Sequence, residues 1–330
     1  MAEIAGAFPQ MTFVGFGEAS HAIASSWTFP DDSKARAYDL KLNLAVRRSN
    51  EKPAVNSVAG CSQKTDAEGF SDSMSRLVEH HCCETGVEAF DDLAQALKGA
   101  SVILCLVTAD MALEAARSSA LHLDPGALWL DGNSCAPQTK QVAAELIEAA
   151  GGHYVDVALM APVYPKRHQV PLLLSGPHAQ EADAFLRRLG MAPKIAGSRI
   201  GDASSIKMLR SVMIKGFEAL TTECLLAARR AGVADAVIAS LQASDPGIDW
   251  RARGAYNLDR MLVHGLRRAA EAEEVCATLA AYGLPDWMSR GTVEWQRRMG
   301  SLGLDSDGNG ALGTMSDGLT ARADKVLNIL

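Results

Sequence analysis

The sequence predicts an α/β fold over residues 1–198 and an all-α fold over residues 199–330, joined by a long bridging helix. Three observations carry this reading. Continuous apolar runs alternate with helical stretches as far as Ser175, the pattern of a doubly wound, mostly parallel sheet covered on both faces. Beyond Gly232 no strand pattern appears, and helical segments follow one another between Gly and Pro. Between the two parts lies Gly197 to Gly232. There Gly201-Asp202 supplies helix-start chemistry, and Arg229, Arg230 and Gly232 supply helix-stop chemistry. A helix from Ala203 to Ala231 would be roughly 40 Å long, more than one domain needs.

Bulk properties narrow the class. At 330 residues and 48% hydrophobic content, the chain has room for two domains with full cores. A net charge of −7 with no Lys/Arg block argues against a nucleic-acid partner. No apolar run approaches the roughly 18 residues of a membrane span, and the first residues lack a signal-peptide pattern. The 7 cysteines are irregularly spaced and fit reduced thiols, so a cytoplasmic protein is expected.

Met11 to Val14 reads as a strand that runs into Gly15-Phe16-Gly17-Glu18-Ala19-Ser20 and then a helix. This is G-x-G-x-x-S, one residue away from the dinucleotide fingerprint of a Rossmann-like unit. Gly15 makes the tight turn, Gly17 lets backbone approach a pyrophosphate, and Ser20 is small enough for the third glycine's place. Glu18 has to point away from the phosphates. Taken alone, a glycine turn without a ligand is the plainer reading. Lys34 to Asp39 reads as the second strand. Its terminal acid stands 22 residues after Gly17, where a carboxylate accepts a hydrogen bond from the adenosine ribose. A 2′-phosphate would be repelled there, so NAD is favoured over NADP, although Lys41, Arg47 or Arg48 could fold back onto a phosphate.

Residues 41–71 are polar without sustained periodicity and read as an excursion between the second and third strands. His80-His81-Cys82-Cys83 cannot enclose one ion, because consecutive helical side chains point in different directions; no metal is expected. Gly86 to Glu88, Ser101 to Leu106, Gly126 to Asp131, His153 to Val157 and Val170 to Ser175 read as further strands. Helices are expected at Asp91 to Lys98, Ala109 to Leu121 and Ala136 to Ala150. Ligands of such sheets bind outside the carboxyl ends of the strands, where Thr108-Ala109-Asp110, Asp131 to Ser134 and Ala158 to Pro162 fall.

In the helical part, Ala234 to Ala243, Trp250 to His264, Gly265 to Tyr282, Pro285 to Met299 and Leu319 to Leu330 read as helices. His264, Arg267, Arg268 and Glu271 read as a solvated charged face. Asp305 to Gly310 matches the first half of an EF-hand loop, but the closing position is Ser316 rather than Glu, so a flexible loop is expected. The long helix has two faces. Lys207, Arg210, Ser211, Ile214 and Glu218 lie on one, and Leu209, Met213, Gly216 and Leu220 on the other. Either the polar face is a solvated stripe on a core helix, or Lys207 and its neighbours line a cleft.

Gly15 to Ala19, Asp131-Gly132-Asn133-Ser134, Ala158 to Val163, Lys207 to Ser211 with Lys215-Gly216, and His264 to Arg268 occur in this order. With them the chain resembles the β-hydroxyacid dehydrogenases, the superfamily of 6-phosphogluconate and 3-hydroxyisobutyrate dehydrogenases. Within it, the closer resemblance is to NAD-binding, phosphogluconate dehydrogenase-like proteins whose C-terminal helical domain has no assigned function. The resemblance implies a nicotinamide cofactor on the glycine turn and a catalytic acid/base at Lys207. The chain departs from the family pattern at Arg210 and Ser211, where an asparagine is normal. It departs again near Met160-Ala161, where the family holds substrate with Ser-Gly-Gly. The substrate therefore stays open.

The chemistry is consistent with this. Hydride transfer from an alcohol carbon needs a base for the hydroxyl proton. A lysine beside a nicotinamide cation and an arginine is pushed toward a lower pKa, which suits that role. Arg210 suits a substrate carboxylate, and Ser134 and Asn133 suit the substrate's oxygen. Ser211 completes the expected catalytic set, and Met160, Ala161 and His264 the substrate site. Gly15, Phe16, Gly17, Glu18, Ala19, Asp39, Val107, Thr108, Ala109 and Asn133 surround the expected cofactor, NAD or NADP. The expected activity is an NAD(P)-dependent dehydrogenase acting on a small hydroxy acid or related carbonyl compound. An imine reductase on the same scaffold and a non-catalytic dinucleotide sensor are the alternatives. A homodimer through the helical domain is expected, because the apolar face of the long helix exceeds what one small domain covers.

Overall fold

The computed structural model describes residues 9–27, 35–42, 66–304 and 315–330. The chain divides into two compact units, Met1–Lys207 and Met208–Leu330. The run at 305–310 and most of the 41–71 excursion lie outside the described residues.

The first unit is built on one sheet. Its strands are β1 (Met11–Val14), β2 (Arg36–Tyr38), β3 (Glu88–Phe90), β4 (Val102–Cys105), β5 (Leu128–Asp131), β6 (His153–Leu159), β7 (Leu172–Ser175) and β8 (Pro193–Gly197). Their spatial order is β3-β2-β1-β4-β5-β6-β7-β8. The pairs from β3 through β6 are parallel, β7 runs antiparallel to β6, and β8 is parallel to β7. The chain starts in the middle and reverses direction between β1 and β4, the switch point where doubly wound sheets bind ligands.

Period-two alternation explains the unbroken apolar strands. Val102 and Leu104 enter one core cluster, while Ile103 and Cys105 enter the other. Leu128 and Leu130 likewise oppose Ala127 and Trp129. Helices α1 (Glu18–Ala24), α2 (Asp66–Thr85) and α6 (Ala179–Arg188) pack on the first face through Ile23, Val78 and Phe185. Helices α3 (Leu93–Leu97), α4 (Ala112–Ala120) and α5 (Pro137–Ala149) pack on the second through Leu97, Ala116 and Ile147. Each of the larger buried side chains, such as Ile23, Val78, Leu97 and Ile147, contributes about 1.5–3 kcal/mol.

The periodicity reading does not anticipate α6 or β8. β8 reads Pro-Lys-Ile-Ala-Gly, with poor strand formers at both ends. It pairs only because β7 offers it an edge, and its proline takes the first position, where a missing N–H is tolerated.

The second unit is helical throughout its described residues. The long helix α7 (Asp202–Arg230) begins in the first unit and runs into α8 (Ala234–Ser244), α9 (Trp250–Ala281), α10 (Trp287–Gly300) and α11 (Met315–Leu327). Two expectations are corrected here. Gly265 does not break a helix, because Trp250–Ala281 is continuous. A Cβ at Gly265 would stand 2.3 Å from the Gln296 carbonyl oxygen and 2.7 Å from the Gly300 nitrogen. The glycine is therefore there for close approach of α9 to α10.

The faces of α7 are also not those of a core helix with a solvated polar stripe. Ser211, Lys215 and Glu218 are buried, whereas Met213 and Leu220 are 71% and 56% exposed. Burial of the polar side is made possible by partners that helical periodicity cannot show. Glu218 accepts from Arg268 Nε at 2.8 Å and Gln296 Nε2 at 2.9 Å. Lys215 pairs with Glu271 at 3.2 Å. Arg268 is accordingly buried rather than part of a solvated charged face. Burial lowers the Lys215 pKa, with Glu271 opposing that shift in part.

Candidate active site

The glycine turn is fixed from three sides. Gly15 has φ +85, and a Cβ there would meet the Leu106 carbonyl oxygen at 2.5 Å, so only glycine fits between β1 and β4. Its N–H donates to the Tyr38 carbonyl at 2.8 Å. Ser20, fully buried, donates from Oγ to the Gly15 carbonyl at 2.6 Å, a bond the fingerprint's usual third glycine cannot make. Phe16 N donates to Asp39 Oδ2 at 2.9 Å, and Lys41 N donates to Asp39 Oδ1 at 3.0 Å. Asp39 thus ties the end of β2 to the turn.

A Cβ at Gly17 would meet nothing within 4 Å, leaving open space beside the first turn of α1. Glu18 is exposed, Ala19 is half-buried, and Phe16 is fully buried. Val107 and Ala109 are partly exposed and Thr108 is exposed, following β4. An open glycine, a helix N-terminus and a strand-end carboxylate at the switch point fit a dinucleotide.

The next strand end carries a buried charge network that the sequence reading did not single out. Lys140 Nζ, 1% exposed, donates to the Asp131 carbonyl at 2.6 Å and to Asp131 Oδ1 at 2.8 Å. It lies 3.6 Å from Asp156 Oδ1. Tyr154 donates its hydroxyl to Asp131 Oδ2 at 2.7 Å. Burial opposes the charge on Lys140, but Asp131 and Asp156 outweigh it and hold the lysine above its ordinary pKa. The same burial raises the Tyr154 hydroxyl and the Cys105 thiol, so both stay neutral.

Asn133 hangs on this network. Its Nδ2 donates to Asp131 Oδ1 at 2.8 Å and to Cys105 Sγ at 3.3 Å, and its Oδ1 accepts from Val107 N at 2.6 Å. Both amide hydrogens are engaged, so Asn133 orients the loops after β4 and β5. The adjacent Ser134 Oγ accepts a hydrogen bond from Lys207 Nζ at 2.6 Å. Asp156 Oδ2 in turn accepts from Ser204 N at 2.9 Å and Ser204 Oγ at 3.0 Å, which pins the first turn of α7 and with it Lys207.

Met160 and Ala161 follow β6 and are partly exposed. Arg210 is exposed, Ser211 is buried and His264 is half-buried, all in the second unit. Lys140, Tyr154 and Asp156 were missed because each reads locally as an ordinary helix or strand residue. A signal was present in the apolar strand patterns, where Asp131 and Asp156 fall at positions flanked by core residues.

Residues 69–168 match the NAD binding domain of 6-phosphogluconate dehydrogenase, and residues 228–299 match a domain of unknown function (DUF1932). A conserved hypothetical protein from Sinorhizobium meliloti 1021 is 34% identical, with TM-score 0.70 over 98% of this chain and 97% of that one. The chain belongs to the β-hydroxyacid dehydrogenase superfamily.

A conserved protein of unknown function, whose structure reveals similarity with 3-hydroxyacid dehydrogenases, is 26% identical, with TM-score 0.61 over 88% of this chain and 96% of that one. The 3-hydroxyisobutyrate dehydrogenase of Mycobacterium tuberculosis shares the fold, at 11% identity and TM-score 0.68 over 97% of this chain and 99% of that one. An uncharacterized 28.5 kDa protein of Methanothermus fervidus is 24% identical over 182 residues, 55% of this chain and 68% of that protein. Residues 69–168 of the first unit thus carry the nicotinamide-dinucleotide-binding signature of this superfamily member.

Removing Lys140 tests the network. Lys140→Ala leaves two buried carboxylates without their shared cation, and a destabilisation of about 3–5 kcal/mol is expected in denaturant unfolding of the first unit. Because the folded pKa is raised, this contribution is fully present below lysine's ordinary value of 10.5 and is lost as pH rises through the folded value. A loss below 1 kcal/mol at neutral pH, the size of a surface pair at about that value, would overturn the assignment.

Proposed function

We propose that the protein is an NAD(P)-dependent dehydrogenase or reductase that interconverts a small hydroxy acid and its carbonyl compound, with Lys207 as general acid/base. The observation that carries this reading is the 2.6 Å hydrogen bond from Lys207 Nζ to Ser134 Oγ at the carboxyl end of the sheet. It joins the superfamily's lysine to the end of β5, with β4 between that strand and the β1 glycine turn. When bound, the nicotinamide supplies the hydride chemistry.

The chain's own residues handle binding and the proton. Gly15 and Gly17 present backbone to the pyrophosphate, and Asp39 accepts from the ribose. Its two oxygens keep unused lone pairs beyond the two backbone N–H groups they accept from. In the oxidation direction Lys207, as the neutral amine, takes the hydroxyl proton at Nζ. In reduction it returns that proton to the carbonyl oxygen. Ser134 shares a hydrogen bond with the same oxygen and keeps it on the lysine. Asn133 acts as a positioning residue through Val107 and Asp131. Met160 and Ala161, which follow β6, border the substrate.

The protein works in the cytoplasm in this reading. Cys82, Cys83, Cys105, Cys135, Cys224 and Cys276 carry free thiols, which suits a reducing compartment. No described helix is long and apolar enough to cross a membrane.

Lys207→Ala is expected to lower kcat by roughly 10²–10⁴-fold while cofactor affinity, read by fluorescence, stays near wild type. The same assay run with both cofactors is expected to favour NADH, because Asp39 repels a 2′-phosphate. A near-normal kcat would return Lys207 to a structural role, and better turnover with NADPH would remove Asp39 as the discriminator.

The helical unit assembles as a homodimer in this proposal. Met213, Leu266, Trp287 and Met288 are 71%, 58%, 78% and 74% exposed, large apolar side chains for a partner copy to cover. Sedimentation at micromolar concentration is expected to give a dimer, and Met213→Glu with Trp287→Glu a monomer. A monomeric wild-type protein would refute the assembly.

A further inference from the structure

The opposite end of the sheet gathers side chains that the proposed reaction does not use. His153 opens β6 and pairs in register with Leu128, at the amino end of β5. Asp131, which leads to Ser134, closes the other end of β5, about 10 Å away along the strand. The His153 group is therefore remote from Lys207 and Ser134.

His153 Nδ1 lies 3.1 Å from Glu181 Oε2, in the first turn of α6. His178, at the start of α6, stacks on His153 with ring centroids 4.0 Å apart and planes 4° apart. His178 and Glu181 are three residues apart on one helical turn, so they share a face. His178 Nε2 is 3.3 Å from Glu148 Oε1, and that oxygen also accepts from Tyr154 N at 2.9 Å. One ligand atom each from His153, His178 and Glu181 lies within 4.8 Å of the other two.

We propose that His153, His178 and Glu181 bind a divalent transition-metal ion, zinc by preference, with water as the fourth ligand. Two imidazoles and a carboxylate are a donor set for zinc and not for magnesium or calcium, which take oxygen ligands. At Zn–N and Zn–O distances of about 2.0–2.2 Å, two ligands on a tetrahedral ion stand roughly 3.3–3.5 Å apart. The His153–Glu181 pair is already at that separation. An imidazole lone pair lies in its ring plane, so one ring must turn out of the stack for both to face one ion. The side chains of His153, His178 and Glu181 are 36%, 25% and 52% exposed, so the turn disturbs no core packing. With His153 and Glu181 already placed, it is His178 that turns, exchanging its 3.3 Å contact with Glu148 for the ion. The ion would tie the start of β6 to the start of α6, a structural bolt rather than a catalytic one.

Calorimetric titration of the metal-free, full-length protein with zinc chloride tests this. One equivalent is expected to bind wild type and raise its Tm by several degrees, as a ligand of the folded state does. His153→Ala and His178→Ala lose both effects, and Glu181→Gln, a milder exposed change, weakens them. His80→Ala, which alters the other exposed histidine run, leaves them intact. Cobalt substitution adds a visible absorption band that disappears in His153→Ala. Failure of wild type to bind zinc, unchanged binding in His153→Ala or Glu181→Gln, or loss of binding in His80→Ala would overturn the site. Turnover stays at the wild-type value in all of these variants, which separates this site from the reading of Lys207.

Discussion

The first unit depends on one buried arrangement, a lysine between two carboxylates. Lys140, Asp131 and Asp156 are each no more than 1% exposed. Two carboxylates and one ammonium leave one negative charge in the interior, a large cost if unshared. The surrounding donors offset it. Tyr154 and Asn133 donate to Asp131, and Ser175 and Ser204 donate to Asp156. Asp156 Oδ1 has the 3.6 Å ion pair with Lys140 and no hydrogen bond among the described residues.

This arrangement sets the geometry of the site without touching substrate. Asp131 fixes Asn133, Asn133 fixes Val107, and Ser134 follows in the chain. From the other carboxylate, Asp156 takes the Ser204 N–H and so fixes the first turn of α7. Ser175 contributes again by accepting from Ala203 N at 2.9 Å. Lys207, on the pinned first turns of α7, and Ser134, on the short loop that Asn133 anchors after β5, therefore reach a 2.6 Å separation. Placement through several hydrogen bonds on buried groups holds the Lys207–Ser134 contact to a narrow range of distances.

The helical unit repeats the principle with a different charge balance. Glu218 is 3% exposed and receives Arg268 and Gln296, so the polar side of α7 faces inward. Met213 and Leu220 are left exposed within one chain, although Leu225 and Leu226 farther along α7 enter the unit's core. That inversion is why amphipathic periodicity gives the wrong buried face, although it places both faces correctly around the helix.

The sequence by itself determined the parts that local chemistry dictates. The continuous apolar runs required a two-sided sheet, and Gly15 required a tight turn after β1. The start and stop chemistry of α7 put its bounds within a residue or so of Asp202 and Arg230. Lys207 and Ser134 stood out as members of one motif set through the family resemblance, while their contact rests on the tertiary structure. What the tertiary structure alone decided is which charges are buried together. Lys140 on a helix, Asp131 and Asp156 on two strands, and Ser204 on a later helix carry no mark of their partnership, because burial of a charge is settled by distant donors. The same holds for His153, His178 and Glu181, which β6 and α6 bring together from separate parts of the chain. It holds for Gly265 as well, which reads as a break until the backbone of α10 is found lying against it.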